Sequence, residues 1–529
     1  MKKTVSLILC LMILLSVVMV SFSVNAAEIT EPAVMDEAGS AVNETDISGE
    51  GIASTGISLD DPLIVPRVVV TTEEGNGTSL QKTDGYVNAS ISITNTDGSV
   101  LSDSCLFKVR GNTTAMTFIE KKAYTFKFEK KKDVLGMGKG KKWALLANAF
   151  DPTMLRNYTA FELANELGLS YTSKHQFVEV FLDGSYRGCY ELTEPVQEGK
   201  ERVDIDIESN DGKKDFLIEY EAQREEEDTT YFTVDGLRFI SSEPENPNED
   251  QLAYITDTMN GIINTLKNGS REEIAAAIDI PSFTAFYLLN EYLKTFDFDM
   301  SSVFFYYKDG KLYAGPAWDY DLSTGNIGDQ LQNTRAKNTR NPDGILQKTK
   351  NLYKYLGSKA WFTEEVIKMY EEHYDYLVNM FAEGGQLDTL SAQYSEIFVR
   401  NATVWPVSKW LYNYQKKPFA TYQENLDFMK NWLNERNSWL YDEWDLFGYD
   451  YVRGDADNNG MVNVIDATFV QRALVNLNPG EDDGHLGLRV AVTGETMSIT
   501  DVTAIQRYLA FMGNPYELNT EVHTKLREK

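Results

Sequence analysis

Thirteen residues near the C-terminus, Gly454–Asp466, constrain the local structure more than any other segment of the chain. Counted from the first aspartate, oxygen-bearing side chains occupy positions 1, 3, 5, 9 and 12, which are Asp455, Asp457, Asn459, Asn463 and Asp466. The glycine at position 6 allows a sharp turn, and position 7 offers its carbonyl. A calcium ion takes six to eight oxygens at about 2.3–2.6 Å, which a loop with this spacing can wrap around one ion. The spacing therefore predicts a calcium site.

The loop and the short amphipathic helix predicted after it recur 35 residues later. The residues that repeat at this offset are Asp466, Thr468, Gln471, Arg472 and Leu474, which return as Asp501, Thr503, Gln506, Arg507 and Leu509. The first three ligands do not repeat, because Val490, Val492 and Gly494 stand in their places. We therefore expect one strong calcium site, and a second loop that keeps the fold but binds calcium weakly or not at all.

The N-terminus has the pattern of a secretory signal peptide. Lys2 and Lys3 precede a largely apolar run, and the small residues Ala26 and Ala27 follow it. We expect removal of the signal peptide to leave a secreted, extracellular protein carried on a cell-surface assembly. Cys10 leaves with this segment, so the two remaining cysteines form either one disulfide or two buried thiols, and these are Cys105 and Cys189.

Charge limits the partners of this chain of 529 residues. It has 50 Lys and Arg against 80 Asp and Glu, a net charge of −30. This balance argues against nucleic acid or an anionic membrane surface as the main partner, because both attract positive charge. Beyond the signal peptide no segment is apolar for 18 residues, so we expect no membrane anchor in the mature chain.

Apolar patterning predicts an α+β fold for the central part of the chain. Short alternating runs bounded by Gly, Asn and Asp indicate strands, for example at Tyr124–Phe128. Apolar residues at helical spacing indicate a helix at Met154–Leu167 and helical segments over 250–294 and 352–446. The predicted divisions are a signal peptide, an acidic flexible leader, the α+β domain, a small all-α calcium-loop module and a tail, at residues 1–26, 27–65, 66–446, 451–514 and 515–529.

Two aspartate-rich turns in the central domain predict a metal-binding or catalytic site. Asp297 and Asp299 lie in the first turn, and Asp319 and Asp321 follow about 22 residues later, after a predicted hairpin. Converging carboxylates bind a divalent metal or act as acid and base. The alternative is that these aspartates have only a structural role among the aromatic residues around them. A structural role is less expected for four aspartates in two such turns than for one.

Basic and acidic residues elsewhere in the domain are more ambiguous. Arg110, in an Arg-Gly-Asn turn, and the nearby Lys121 and Lys122 could hold a phosphate, or they could form a solvated strand edge. Glu162, on the helix predicted after Asp151, could pair with a strand lysine, or it could belong to a solvent-facing surface.

The order and spacing of these clusters resemble the CotH (spore coat protein H) kinase-like family over roughly residues 66–446. The segments that carry the resemblance are Lys108–Thr114, Lys121–Tyr124, Leu145–Asn148, Asp151–Asn157, Gly188–Glu194, the region of Asp297, Tyr307–Asp309 and Gly315–Asp321. The resemblance implies an atypical protein-kinase-like module with a helical C-terminal part. It also implies ATP-dependent phosphoryl transfer to protein hydroxyls with Mg²⁺ or Mn²⁺.

Carried over by position, the resemblance assigns Asp297 as the catalytic aspartate and Asp319 as a metal ligand, with Asp321 as its helper. Lys121 or Lys122 would reach the phosphates, supported by Arg110 and Glu162. The chain departs from the family pattern in two ways. Thr295 replaces an asparagine that often precedes the catalytic aspartate by two residues, and a second aspartate, Asp299, lies close to Asp297 and competes for the same assignment.

The duplicated loop and helix resemble a type I-like dockerin domain over about 60 residues. This resemblance implies calcium-dependent docking to a cohesin on a cellulosomal scaffold. The positions that face the cohesin in that family are occupied here by Val464, Ile465, Ile499 and Thr500.

Three functions are compatible with these patterns, and docking is common to all of them. The first is a scaffold-docked protein kinase, and the second is a binding or structural component whose kinase-like domain no longer turns over. The third is a polysaccharide hydrolase, which the paired carboxylates and the predicted dockerin suggest but the CotH resemblance opposes.

Overall fold

Residues 57–208, 214–222, 225, 229–406, 415–444, 449–477, 485–494 and 496–524 are described by a computed structural model. The predicted signal peptide and most of the predicted leader lie outside these residues. The described residues belong to the larger of two units, Thr55–Lys529. No helix within them combines the length and the apolar character needed to cross a membrane.

Seven strands close into a barrel in the order β1-β2-β3-β4-β5-β7-β6. They are β1 (Arg67–Thr72), β2 (Val87–Thr94), β3 (Val100–Arg110), β4 (Ala123–Asp133), β5 (Lys139–Leu146), β6 (His175–Leu182) and β7 (Ser185–Thr193). Neighbours are antiparallel except β1 and β6, which pair in parallel. Because side chains alternate between the faces of a strand, Phe107, Tyr124, Trp143 and Tyr190 fill the interior.

A second, antiparallel sheet of five strands has the order β12-β11-β8-β10-β9. Its strands are β8 (Phe216–Tyr220), β9 (Tyr231–Val234), β10 (Leu237–Glu243), β11 (Val303–Lys308) and β12 (Lys311–Ala314). Phe216, Ile218, Phe239 and Phe305 belong to the largest apolar core, which this sheet shares with the helices.

Helices complete this α+β domain. They are α1 (Arg156–Glu166), α2 (Glu249–Asn268), α3 (Arg271–Ala277), α4 (Ile280–Leu293), α5 (Thr334–Arg340), α6 (Ala360–Glu372), α7 (Tyr374–Phe381), α8 (Gln386–Val404) and α9 (Tyr422–Glu443). Every residue of α4 from Phe283 to Leu293 is buried, as expected of a helix with neighbours on all sides. Helices α1, α6 and α9 all contact it.

A buried ion pair joins two of these helices. Glu291 of α4 accepts a hydrogen bond of 2.8 Å from Nη2 of Arg436 of α9, and both side chains are fully buried. Glu291 also accepts bonds from the backbone N–H groups of Leu346 and Gln347. One carboxylate thus fixes α4, α9 and the segment before α6.

Helix α8 is attached to the barrel by polar contacts. Asn401 accepts a hydrogen bond of 3.1 Å from the backbone N–H of Cys189 in β7. Gly188 has φ +91°, and a Cβ there would lie 2.5 Å from Asn401 Oδ1, so the close approach requires glycine. Both Cys189 and Cys105 are buried free thiols, which settles the choice left open by the sequence.

The end of the predicted leader packs on the barrel. The Arg67 guanidinium donates to the carbonyls of Leu59 (2.6 Å) and Asp61 (3.2 Å), and Val65 is buried. The part of the leader at residues 57–65 is therefore ordered rather than flexible, because its backbone carbonyls are held by a buried cation.

The C-terminal module contains α10 (Val464–Leu474), α11 (Leu486–Val490), α12 (Ile499–Leu509) and a strand pair, β13 (Tyr449–Val452) with β14 (Glu521–Thr524). Helices α10 and α12 pack together. The strand pair corrects two expectations, since the module is not all helical and the predicted tail is part of it. Leu518 of that tail is buried in the core of the module.

Removal of the Glu291 carboxylate is expected to destabilise the domain. Glu291→Ala leaves the buried Arg436 guanidinium uncompensated, and loss of one partner of a buried ion pair costs about 3–5 kcal/mol. Urea titration of the variant should show this loss in the free energy of unfolding. The exposed Glu383→Ala should change it by less than about 0.5 kcal/mol. Equal stability of the two variants would show that Glu291 has no such role.

Candidate active-site cleft and calcium loop

A cleft of about 240 Å³ contains most of the aspartates singled out in the sequence. We call it the aspartate cleft; the described residues that line it are Arg110–Thr114, Ala123, Leu146–Asn148, Phe150, Asn157, Glu221, Phe296, Asp297, Met300, Ser301, Trp318, Asp319, Asp321 and Leu322. The ends of barrel strands β3 and β5 form one wall, and the turns on either side of the β11–β12 hairpin form the other.

The hairpin explains why the two aspartate turns meet. The first turn ends just before β11, and the second begins just after β12, which is antiparallel to β11. Both turns therefore lie at the same end of the hairpin. Ser302, between the first turn and β11, donates a hydrogen bond of 3.3 Å to Asp319 Oδ2 and ties the turns together.

The structure separates the two aspartates of the first turn. They lie on a short 3₁₀ helix, Phe296–Asp299, whose two phenylalanines are buried. Asp297 lines the aspartate cleft. Asp299 is absent from the lining and pairs with Lys350 Nζ at 2.8 Å. Of these two candidates, only Asp297 faces the site.

The cleft carboxylates repel one another. Burial, together with the charges of Asp319, Asp297 and Asp151, raises the pKa of Asp321 well above its ordinary value. Asp319 lies in a turn with φ +67°, an unusual conformation for a residue other than glycine. A divalent cation would relieve this repulsion, and carboxylate oxygens are the ligands that Mg²⁺ prefers. Asp319 and Asp321 are therefore candidate ligands of such an ion, but among the described residues the three cleft aspartates do not form a group with oxygens within 4.8 Å of one another.

Arg110 is the cationic residue among the described residues that line the aspartate cleft. Its guanidinium lies 5.0 Å from the centre of the Trp318 ring. Burial lowers the pKa of Arg110, and the nearby Asp319 opposes this effect. At the end of β3, this cation faces the aspartates across the cleft.

The other predicted phosphate-binding residues are held elsewhere. The buried Lys121 donates a hydrogen bond of 2.7 Å to the Cys189 carbonyl, and burial lowers its pKa to about 7. Lys122 donates to the carbonyls of Ala115 and Met116, in the loop that follows the cleft-lining residues 111–114. Each ammonium is held by backbone carbonyls, and neither lysine is among the residues that line the aspartate cleft.

Glu162 pairs with a histidine rather than a lysine. His175 Nε2 lies 3.2 Å from Glu162 Oε1, and His175 Nδ1 lies 3.0 Å from Oε1 of the buried Glu191. Burial of the imidazole lowers its pKa, but the contacts with Glu162 and Glu191 outweigh burial and raise the pKa to about 9. His175 is thus held as a cation between two carboxylates.

A chain of hydrogen bonds links this histidine cluster to the aspartate cleft. Asn148 donates to Glu191 Oε2 (3.0 Å) and accepts from Asn157 (3.0 Å). Asn157 in turn accepts from the backbone N–H of Tyr320, between Asp319 and Asp321. Asn148 and Asn157 belong to segments that carry the sequence resemblance, but no role for them was predicted.

Glu221 is a cleft residue that sequence reasoning missed. Its side chain is buried and lines the aspartate cleft just beyond β8. Glutamate directly after an apolar strand, in Phe216–Glu221, was the signal that could have found it.

The first calcium loop brings its carboxylates together. Oxygens of Asp455, Asp457 and Asp466 lie within 4.8 Å of one another, and this is the one such acidic group found among the described residues. Gly460 has φ +89°, as the predicted sharp turn requires, and donates a hydrogen bond of 2.6 Å to Asp455. The oxygen donors fit calcium.

The second loop satisfies its remaining aspartate internally. Asp501 accepts hydrogen bonds from the backbone of Val492 and from the backbone and hydroxyls of Thr493 and Ser498. Asp466 of the first loop likewise accepts bonds from the backbone of Ala456, Asp457 and Asn463, so the two loops share this hydrogen-bond pattern.

His175 should make stability depend on pH. A pKa raised from 6.5 to about 9 gives stabilisation that is fully present below pH 6.5 and is lost as the pH rises through 9. We expect His175→Gln to cost on the order of 2–3 kcal/mol more at pH 6 than at pH 10, measured by urea titration. His373→Gln, which removes a half-exposed contact with Glu166, is the control. The same cost at both pH values would contradict the charged state of His175.

Comparison with known proteins supports the family suggested by the sequence. A family model described as CotH kinase protein matches residues 107–440, which is more than half of the chain. No curated protein matches the chain. The matched region contains Arg110, Asp297, Asp319 and Asp321, together with the asparagines that tie the second aspartate turn to the barrel. The chain therefore belongs to the CotH kinase protein family.

Proposed function

We propose that the α+β domain transfers the γ-phosphoryl group of ATP to a protein hydroxyl. The observation that carries this proposal is the convergence of Asp297, Asp319 and Asp321 on one cleft opposite Arg110. Phosphoryl transfer depends mainly on positioning and on electrostatic stabilisation, and both can come from this set. Membership of the CotH kinase protein family also suggests a kinase-like role.

Asp297 would act on the acceptor. Its carboxylate accepts a hydrogen bond from the acceptor hydroxyl and orients the oxygen toward the γ-phosphorus. As the new O–P bond forms, the bond from the γ-phosphorus to the bridging oxygen of ADP breaks, and the hydroxyl proton passes to Asp297. The backbone carbonyl of Asp297 accepts the N–H groups of Met300 (2.7 Å) and Ser301 (3.0 Å), which fixes the turn.

Asp319 and Asp321 would hold Mg²⁺ or Mn²⁺, whose chemistry is to neutralise charge on the phosphates. Asn157 fixes the backbone between these two residues through the Tyr320 N–H. Arg110 is the protein cation proposed to meet the phosphates, since Lys121 and Lys122 bind backbone carbonyls outside the cleft lining.

We also propose that the C-terminal module is a dockerin that carries the secreted protein to a cohesin of a cellulosomal scaffold. Calcium would be held by Asp455, Asp457, Asn459, Asn463 and Asp466. The expected contact residues Val464, Ile465 and Ile499 are more than half exposed at the starts of α10 and α12. Exposed apolar side chains at corresponding places in two helices are suited to a protein interface.

The kinase proposal is tested with the full chain, γ-labelled ATP and Mg²⁺ or Mn²⁺. Asp297→Asn should lower transfer to a protein acceptor about 100-fold or more, because loss of general-base catalysis costs about 10²–10⁴-fold. Asp319→Ala should also lower transfer strongly, because it removes a proposed ligand of the ion that neutralises charge on the phosphates. Asp299→Asn is the matched control, since Asp299 lies two residues away and pairs with Lys350 outside the cleft. It should retain most of the activity.

Two results would overturn these assignments. Equal losses in Asp297→Asn and Asp299→Asn would remove the special role of Asp297. A wild-type chain that neither binds ATP nor transfers phosphate would reject the kinase and favour a non-catalytic scaffold component. Release of sugar from polysaccharide without nucleotide would favour the hydrolase.

Calcium binding is expected at one site of the module. Titration calorimetry with the full chain, in excess Mg²⁺, should give one tight Ca²⁺ site per chain, and Asp457→Ala should abolish it. Immobilised cohesin should retain the wild type only with calcium, while phosphoryl transfer in Asp457→Ala stays at the wild-type level. Two tight sites would contradict the inactive second loop, and calcium-independent retention would reject the dockerin proposal.

A further inference from the structure

The β4–β5 hairpin is strongly basic in a strongly acidic protein. Residues 127–142 contain seven lysines and two acidic residues, whereas the whole chain has a net charge of −30. Five of these lysines are exposed: Lys127, Lys130, Lys131, Lys139 and Lys141. A local reversal of sign on this scale creates a positive potential that attracts anionic partners.

The strand register extends this positive charge to the aspartate cleft. Lys142 of β5 pairs with Lys127 of β4, which pairs with Leu106 of β3. Phe107 and Val109 point into the barrel, so the alternating Lys108 and Arg110 lie on its outer face with the lysines. Positively charged side chains therefore extend along the outer face of the barrel from the hairpin to Arg110 at the cleft.

These cations are only partly neutralised by their surroundings. Lys127 and Lys142 form no ion pair with any residue in the described part of the chain. Lys108 lies 4.5 Å from the centre of the Tyr86 ring. Burial lowers the pKa of Lys108, as do the charges of Lys142, Lys82 and Arg110, whereas Glu245 raises it. The cations lie close enough to repel one another, and an anionic ligand would relieve this repulsion.

We propose that this basic face, formed by Lys108, Lys127, Lys142 and Arg110, binds an acidic polypeptide segment and delivers its serine or threonine to the aspartate cleft. The proposal rests on the kinase function above and names its substrate class. An extended segment of about ten residues spans roughly 33 Å, enough to cross a face three strands wide.

An acidic polypeptide fits this face better than a long polyanion such as nucleic acid or a phosphate-rich polymer. A short segment can end where the basic face ends, whereas a long polyanion would continue along a chain that is acidic elsewhere. Three of the four cations are lysines, which act as point charges, rather than arginines, whose planar fork suits bidentate phosphate binding.

Matched peptides test the proposal with the full chain. Each peptide has one serine, flanked on both sides by four Glu, four Gln or four Lys residues. We expect the Glu peptide to have a KM at least about tenfold lower than the Gln peptide, with a similar kcat, because the face contributes binding rather than chemistry. The advantage should shrink between 50 and about 500 mM salt, since exposed charges are screened.

Charge-reversal variants test whether the preference for the Glu peptide depends on the lysines of the basic face. The double variant Lys127→Glu/Lys142→Glu should lose the preference for the Glu peptide, so that its KM for this peptide is no longer below its KM for the Gln peptide. Lys368→Glu/Lys417→Glu carries the same change in net charge at exposed lysines outside the basic face and should keep the preference. Binding of labelled peptides, measured by fluorescence anisotropy without ATP, should follow the same order.

The outcomes separate this inference from the kinase function. Transfer at equal KM to all three peptides, or a preference for the Lys peptide, would overturn the inference and leave the kinase intact. Selective binding of the Glu peptide without phosphoryl transfer would uphold the basic face and reject the kinase. Loss of selectivity in both double variants would show a net-charge effect and also overturn the inference.

Discussion

Repulsion among Asp297, Asp319 and Asp321 is the constraint on which the proposed active site depends. Buried or half-buried like charges repel strongly because water does not screen them fully. Asp151 adds to the repulsion felt by Asp321, but its own charge is compensated by a buried ion pair with Arg156. The Arg156 side chain also binds Thr324 (2.8 Å), just beyond the second aspartate turn. The ion pair with Arg156 thus compensates this acidic group behind the cleft and anchors it beside the second aspartate turn.

The hydrogen-bonded chain from Glu191 through Asn148 and Asn157 to Tyr320 also holds the second aspartate turn in place. A buried polar network is costly unless its members are satisfied, and a satisfied network specifies one arrangement. Asn148 and Asp319 both have positive φ, a conformation that persists when neighbouring contacts determine it. The bonds to Asn157 and Ser302 supply such contacts. In this arrangement the barrel and the second aspartate turn cannot move independently.

Sequence alone anticipated that Asp455, Asp457 and Asp466 come together in one loop, and it anticipated the aspartate cleft only in part. All ligands of the loop fall within twelve residues, so their spacing is visible without knowledge of the fold. The convergence of Asp297 and Asp319 could also be anticipated, because a hairpin separates them. The surroundings of Lys121 could not, since its carbonyl partner at Cys189 lies 68 residues away. The separation of Asp297 from Asp299 likewise depended on the distant Lys350.

The α+β class of the central domain was predicted correctly, as the structure and the family agree on it, but the C-terminal module is not all helical and several strands were missed. Strand β5 begins with the polar run Lys139–Lys142, which hides its alternation. Strands β9 and β10 had a readable signal, the Asp235-Gly236 turn, in which both residues have positive φ as a two-residue hairpin requires.

The two oxygen-rich sites also differ in how they depend on the fold. The ligands of the calcium loop are held largely by their own backbone, as in the bond from Gly460 to Asp455. The cleft instead needs α4, the β11–β12 hairpin and the barrel wall in their final places before its carboxylates face Arg110. The outer barrel wall that supplies Arg110 also carries the lysines of the basic face. The same strand pairing that completes the cleft therefore fixes the position of the basic face beside it, so that an acceptor of the proposed kind would meet a site that exists only in the folded domain.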